Sequence, residues 1–135
     1  MLKRKVYEDL LKWKKEANGK ALCIIGARQI GKTTLIREFG KNEYEHFAEL
    51  NFVTDQRAAD IFNDKLTAET IITNLTAYLQ TPLEPGKTLI LFDEVQECPR
   101  VRSAIKFLVE DGRFDYIESG SLLGVRYKDV TSYPV

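Results

Sequence analysis

Eight residues near the start of the chain, Gly26-Ala27-Arg28-Gln29-Ile30-Gly31-Lys32-Thr33, fit the pattern G-x-x-x-x-G-K-[ST]. The pattern fixes a piece of backbone as well as a set of side chains. Gly26 and Gly31 allow turns that a Cβ would block. Successive backbone N–H groups then converge into a nest for anionic oxygens, and the positive end of a following helix adds to it. Lys32 brings a point charge to the β- and γ-phosphates of a nucleotide, and the Thr33 hydroxyl is suited to ligating Mg²⁺. A chance match in a chain of 135 residues has odds on the order of one per cent. The flanks agree with it. Ala21-Leu22-Cys23-Ile24-Ile25 leads in as an apolar run of a strand buried on both faces. Thr33 to Phe39 leads out as a helix, with Leu35, Ile36 and Phe39 inward and Gly40 as its terminator.

The remaining elements alternate. Residues 3–17 read as a helix, with Val6, Leu10 and Trp13 on one face and Gly19 after its end. Residues 46–53 hold a second strand, 56–80 two helical pieces, and Thr88-Leu89-Ile90-Leu91-Phe92 a third strand. Pro82 and Pro85-Gly86 mark a turn, Pro99 opens a helix, and Asp115 to Glu118 form a short fourth strand. Strands alternating with helices predict an α/β fold with a parallel sheet. The third strand ends in Asp93 and Glu94. In such sheets the ligand sits at the carboxyl ends of the strands. Asp93 is therefore the candidate for the Mg²⁺ shell, and Glu94 the candidate base that deprotonates a water for attack on the γ-phosphate. Ser119 and Ser121 close the fourth strand, within reach of the γ-phosphate or that water if this strand lies beside the first.

Composition narrows the class further. Charges balance at zero, which opposes a domain built to coat nucleic acid. Residues 1–20 hold seven Lys or Arg against three acids, and residues 42–70 seven acids against two bases, read as two solvated surfaces. Two cysteines make no disulfide framework, and His46, the only histidine, has no companion for a structural zinc. With no long apolar run and no signal core, the chain is expected to be cytoplasmic and to have no membrane partner.

Together, Gly26 to Thr34, Leu91-Phe92-Asp93-Glu94-Val95-Gln96 and Ser119-Gly120-Ser121 resemble an AAA-type P-loop ATPase domain. That domain opens a large group of prokaryotic ATPases that carry a further C-terminal domain of unknown function. Arg4-Lys5-Val6-Tyr7 and Leu10 match its opening helix, so the likeness covers the chain, 1–19 as a leading helix and 20–135 as the nucleotide-binding core. The resemblance implies a three-layer α/β/α sandwich with a strand inserted between those of Gly26 and Asp93, and a catalytic glutamate. It implies that residues 26–34 bind ATP, that Thr33 and Asp93 hold Mg²⁺, that Lys32 and Glu94 are catalytic, and that Ser119 takes a sensor-like place where many AAA proteins have asparagine. Family members continue beyond Tyr133-Pro134-Val135, so the chain is expected to stop before the last strand and an α-helical lid. A second copy or another protein would then supply a transition-state arginine. Arg100, Arg102 and Arg126 are read as ordinary surface residues, and Tyr7 and Leu10 as helix core rather than an adenine wall. The function expected is ATP hydrolysis driving conformational change in a larger protein. The alternatives are a nucleotide-gated interaction switch and a DNA-associated ATPase supported only by the basic start of the chain.

Overall fold

The computed structural model describes residues 2–16, 19–26, 31–121 and 132–134. Its elements run α1 (Leu2–Lys14), β1 (Ala21–Gly26), α2 (Lys32–Glu43), β2 (His46–Asn51), a 3-10 helix (Gln56–Phe62), α3 (Ala68–Leu79), β3 (Thr88–Asp93), α4 (Pro99–Asp111), β4 (Asp115–Ser121) and β5 (Ser132–Pro134). The five strands form one sheet in the order β2-β3-β4-β1-β5, and every pairing is parallel. β4 is thus the strand inserted between β1 and β3.

Alternation along the strands divides the core into two layers. Ile90, Phe92 and Tyr116 face the 3-10 helix, α3 and α4, whereas Leu89, Leu91 and Ile117 face α1 and α2. β3 is buried along its whole length, which is why its sequence is apolar throughout rather than alternating. Val6, Leu10 and Trp13 bury the face of α1 predicted from their spacing. Local chemistry sets the helix ends. Thr67 caps α3 by accepting from the backbone N–H of Thr70, Pro99 begins α4, and Gly112 ends it at φ 79°. Among the described residues no helix is long and apolar enough to cross a membrane.

Two expectations change. Gly40 does not terminate α2, which runs on to Glu43. Its lack of a side chain serves packing: a Cβ there would lie 2.2 Å from the Phe47 ring, so glycine lets β2 close onto the helix. The expected stop before the last strand is also modified, because Ser132–Pro134 pairs beside β1. Three residues ending in proline carry no strand pattern of their own, and proline is tolerated there because the segment is an edge among the described strands.

At the amino ends of the strands Asp115 acts as a clasp. It accepts from the Gly19 backbone N–H at 2.9 Å and the Tyr44 hydroxyl at 2.6 Å, and it pairs with Lys20 at 3.5 Å. Burial, with the Asp115 bond, pushes the Tyr44 hydroxyl far above the usual phenol range.

Gly40→Ala is expected to destabilise the fold by about 1–3 kcal/mol through overpacking against Phe47, read as a lower melting temperature.

Candidate functional site at the carboxyl edge of the sheet

The parallel order brings the carboxyl ends of β1, β2, β3 and β4 to one edge, and α2 starts at the same edge. Gly26 is the last residue of β1, and Gly31 precedes α2 in the left-handed region at φ 71°. Ala27, Arg28, Gln29 and Ile30 lie outside the described residues, as does the side chain of Ser121. Lys32, in the first turn of α2, is only 6% exposed and forms no ion pair among the described residues. Thr33 is half-buried and Thr34 is exposed.

Asp93 is the centre of the arrangement. It is 4% exposed and accepts four hydrogen bonds from three neighbouring elements and its own turn. Oδ2 takes the Thr33 hydroxyl at 3.2 Å and the Asn51 amide at 3.4 Å. Oδ1 takes the Ser119 hydroxyl at 2.6 Å and the Glu94 backbone N–H at 2.9 Å. Register explains the convergence: Asn51 pairs with Asp93 across β2 and β3, and Phe92 pairs with Glu118, so Ser119 follows alongside Asp93. The buried Ser119 hydroxyl therefore donates to Asp93.

Glu94 comes next, half-buried and in the left-handed region at φ 58°. Its Oε1 accepts from Gln96 Nε2 at 2.7 Å. The sequence reading assigned no role to Asn51 or Gln96. Asn51 had a signal: Leu50-Asn51 repeats the apolar-then-polar strand ending of Phe92-Asp93. Asn51 also closes the turn beyond β2, its Oδ1 accepting from the N–H groups of Val53 and Thr54. One turn after Thr33, Arg37 grips Glu49 through two bonds of 2.7 Å and ties α2 to β2.

The donor set suits a hard cation. Mg²⁺ takes oxygen ligands, keeps several waters and binds through one or two carboxylates together with substrate phosphates. Thr33 Oγ1 and Asp93 Oδ2 are such oxygens, 3.2 Å apart. Among the described residues no group of three or more His, Cys, Asp or Glu is placed to hold a metal, so a cation here would depend on the nucleotide for its other ligands. A groove of about 870 Å³ between the 3-10 helix and α3 shares none of these residues. It carries Asp55, Asp60 and Asp64, the wrong sign for phosphate.

Of the described arginine candidates, Arg100 is exposed, as read from the sequence, whereas Arg102 is half-buried. Arg100 donates to the carbonyls of Phe62 and Asp64, and Arg102 pairs with the fully buried Glu118 at 2.8 Å; Arg126 lies outside the described residues. Burial raises the Glu118 carboxyl above its usual value, and the charge and hydrogen bond of Arg102 oppose the rise. Tyr7 and Leu10 belong to the α1–α2 core, as read from the sequence, with Tyr7 edge-on to Phe39.

The sequence profile of a family described as AAA domain matches residues 18–135. No curated protein matches the chain. Among solved structures, PCH-2 of C. elegans superposes with a TM-score of 0.58 at 16% identity, over 98% of this chain and 42% of that one. The flagellar accessory protein FlaH from Methanocaldococcus jannaschii superposes with a TM-score of 0.49 at 13% identity, over 87% of this chain and 69% of that one. The chain thus spans less than half the length of PCH-2, and that likeness concerns the fold.

Ser119→Ala is expected to lower stability by about 1.5–3 kcal/mol in urea denaturation, the size of a hydrogen bond to a charged group. Arg102→Ala is expected to cost about 3–5 kcal/mol near neutral pH, because Glu118 is left buried and unpaired. That loss shrinks on acidification through the raised Glu118 value toward the ordinary 4.5, as the folded state takes up the proton. Denaturation curves across pH check both the size and the sign.

Proposed function

The chain belongs to the AAA domain family, and from that premise we propose that it binds ATP with Mg²⁺ and hydrolyses it. The observation that carries this reading is the bond from Thr33 to Asp93. Two motif residues sixty positions apart meet at the edge where an α/β sheet receives its ligand.

In this reading residues 20–135 are the nucleotide-binding core and residues 1–19 its leading helix. Backbone N–H groups of Gly26 to Gly31 and the start of α2 cradle the phosphates, through Ala27, Arg28, Gln29 and Ile30, with Thr34 continuing the turn. Lys32, buried and without a carboxylate partner among the described residues, neutralises the β- and γ-phosphates. Thr33 and Asp93 hold the cation, which when bound polarises the phosphate oxygens. Glu94 takes the proton of the attacking water. Ser119 acts from behind, fixing Asp93 rather than touching nucleotide. Arg100 is engaged by the Phe62 and Asp64 carbonyls and Arg102 by Glu118, which supports a transition-state arginine from a second copy or a partner protein. Such an arginine is worth about 10³–10⁵ in rate, so turnover by this chain alone is slow. Hydrolysis would drive conformational change in a larger protein.

Titration with ATP and with GTP, each with Mg²⁺, tests binding and base preference together. ATP is expected to bind more tightly, and Lys32→Ala to weaken it by about 10- to 100-fold. Glu94→Gln is expected to retain binding and to lose about 10²–10⁴ in turnover. Equal turnover by wild type and Glu94→Gln would remove Glu94 from the base role.

A further inference from the structure

Glu94 stands in a part of backbone space that non-glycine residues seldom occupy, with φ 58° and ψ 46°. The turn around it is held on every side. Its N–H donates to Asp93, its carbonyl accepts from the Glu97 N–H at 3.1 Å, and Cys98 N–H closes on Val95 at 3.0 Å. Val95, 1% exposed, plugs the turn into the core beneath α4. The backbone of Glu94 is therefore fixed, but its side chain still has three torsions between Cα and the carboxylate.

Among the described residues one hydrogen bond restrains those torsions: Gln96 Nε2 donates to Glu94 Oε1 at 2.7 Å. The other end of the same amide is informative. Gln96 Oε1 is buried and has no hydrogen-bond partner among the described residues. An amide can be turned over to exchange its ends. Here that would set its oxygen against a carboxylate that can only accept. The amide is held with its donor on Glu94 although its own acceptor is left orphaned, so the Glu94 contact sets its orientation.

We propose that Gln96 is a positioning residue that fixes the carboxylate of Glu94 for its work on the attacking water. The inference rests on the reading of Glu94 as the base. Gln96 acts through Glu94 and not on the nucleotide, so its effect belongs to the transition state and leaves ground-state binding alone.

Wild type, Glu94→Gln, Gln96→Ala, Gln96→Glu and the double variant Glu94→Gln/Gln96→Ala are compared by three measurements. These are affinity for Mg–ADP, affinity for Mg–ADP with aluminium fluoride as a transition-state mimic, and ATP turnover. Mg–ADP affinity is expected to be unchanged throughout. Gln96→Ala is expected to weaken the aluminium fluoride complex by about 10- to 100-fold, the scale of a misplaced catalytic group. Gln96→Glu, which keeps the shape and loses the donor, behaves like Gln96→Ala. The double variant is no weaker than Glu94→Gln alone, because two residues acting as one unit are not additive. If Glu94→Gln weakens the mimic while Gln96→Ala does not, or if the two losses multiply, the positioning role is overturned and the base reading stands. If Glu94→Gln changes neither the mimic nor turnover, or if Mg–ADP does not bind, the underlying reading fails and this inference falls with it.

Discussion

A carboxylate with 4% of its surface exposed needs partners for its lone pairs, and Asp93 finds all four from different parts of the chain. Thr33 comes from α2, Asn51 from β2, Ser119 from β4 and the last N–H from the turn into Glu94. No subset of these elements places the others. The bond to Thr33 requires α2 to start over β3, and the bond to Ser119 requires β4 to lie between β1 and β3. The bond to Asn51 requires β2 on the far side in matched register. The order β2-β3-β4, with α2 starting over it, is thus the arrangement in which this one group is buried and satisfied.

The two faces of the sheet have different duties. Beneath the 3-10 helix, α3 and α4, the packing is aromatic and dense, with Phe92 stacked on Tyr116 at 5.8 Å and Phe62 edge-on to Phe92. Among the described residues that layer holds one buried ion pair, Arg102 with Glu118. The face under α1 and α2 is where Asp93, Thr33 and Ser119 meet, one residue beyond apolar side chains that face the other way. Residue alternation in β3 and β4 puts Phe92 and Glu118 on the α4 side and Asp93 and Ser119 on the α2 side.

What could be read in advance follows the range of the interaction that encodes it. Lys32 and Thr33 were legible because the loop motif is local, and Asp93 because a run of buried residues ending in an acid announces a strand end. The inserted position of β4 came from resemblance, not from any residue of β4 itself. Asn51 was passed over because its meaning lies in register with β3, which sequence alone does not carry. Gly40 was misread because a glycine that ends a helix and one that admits a neighbouring ring look alike until Phe47 is in place. Ser119 was placed at the right strand end, but its hydroxyl direction is a property of three strands together. Gln96 was visible as part of a motif, yet its contact with Glu94 depends on a left-handed turn that no residue type there demands.

Helix α2 is fastened at both ends by carboxylates on adjacent strands. Thr33 in its first turn binds Asp93 at the carboxyl edge of β3, and Tyr44, just past its last turn, binds Asp115 at the amino edge of β4. Arg37 holds it to Glu49 between the two. A strut pinned in this way cannot slide along its own axis. Because α1 packs along the same helix, the bonds that pin α2 also seat α1 on the sheet.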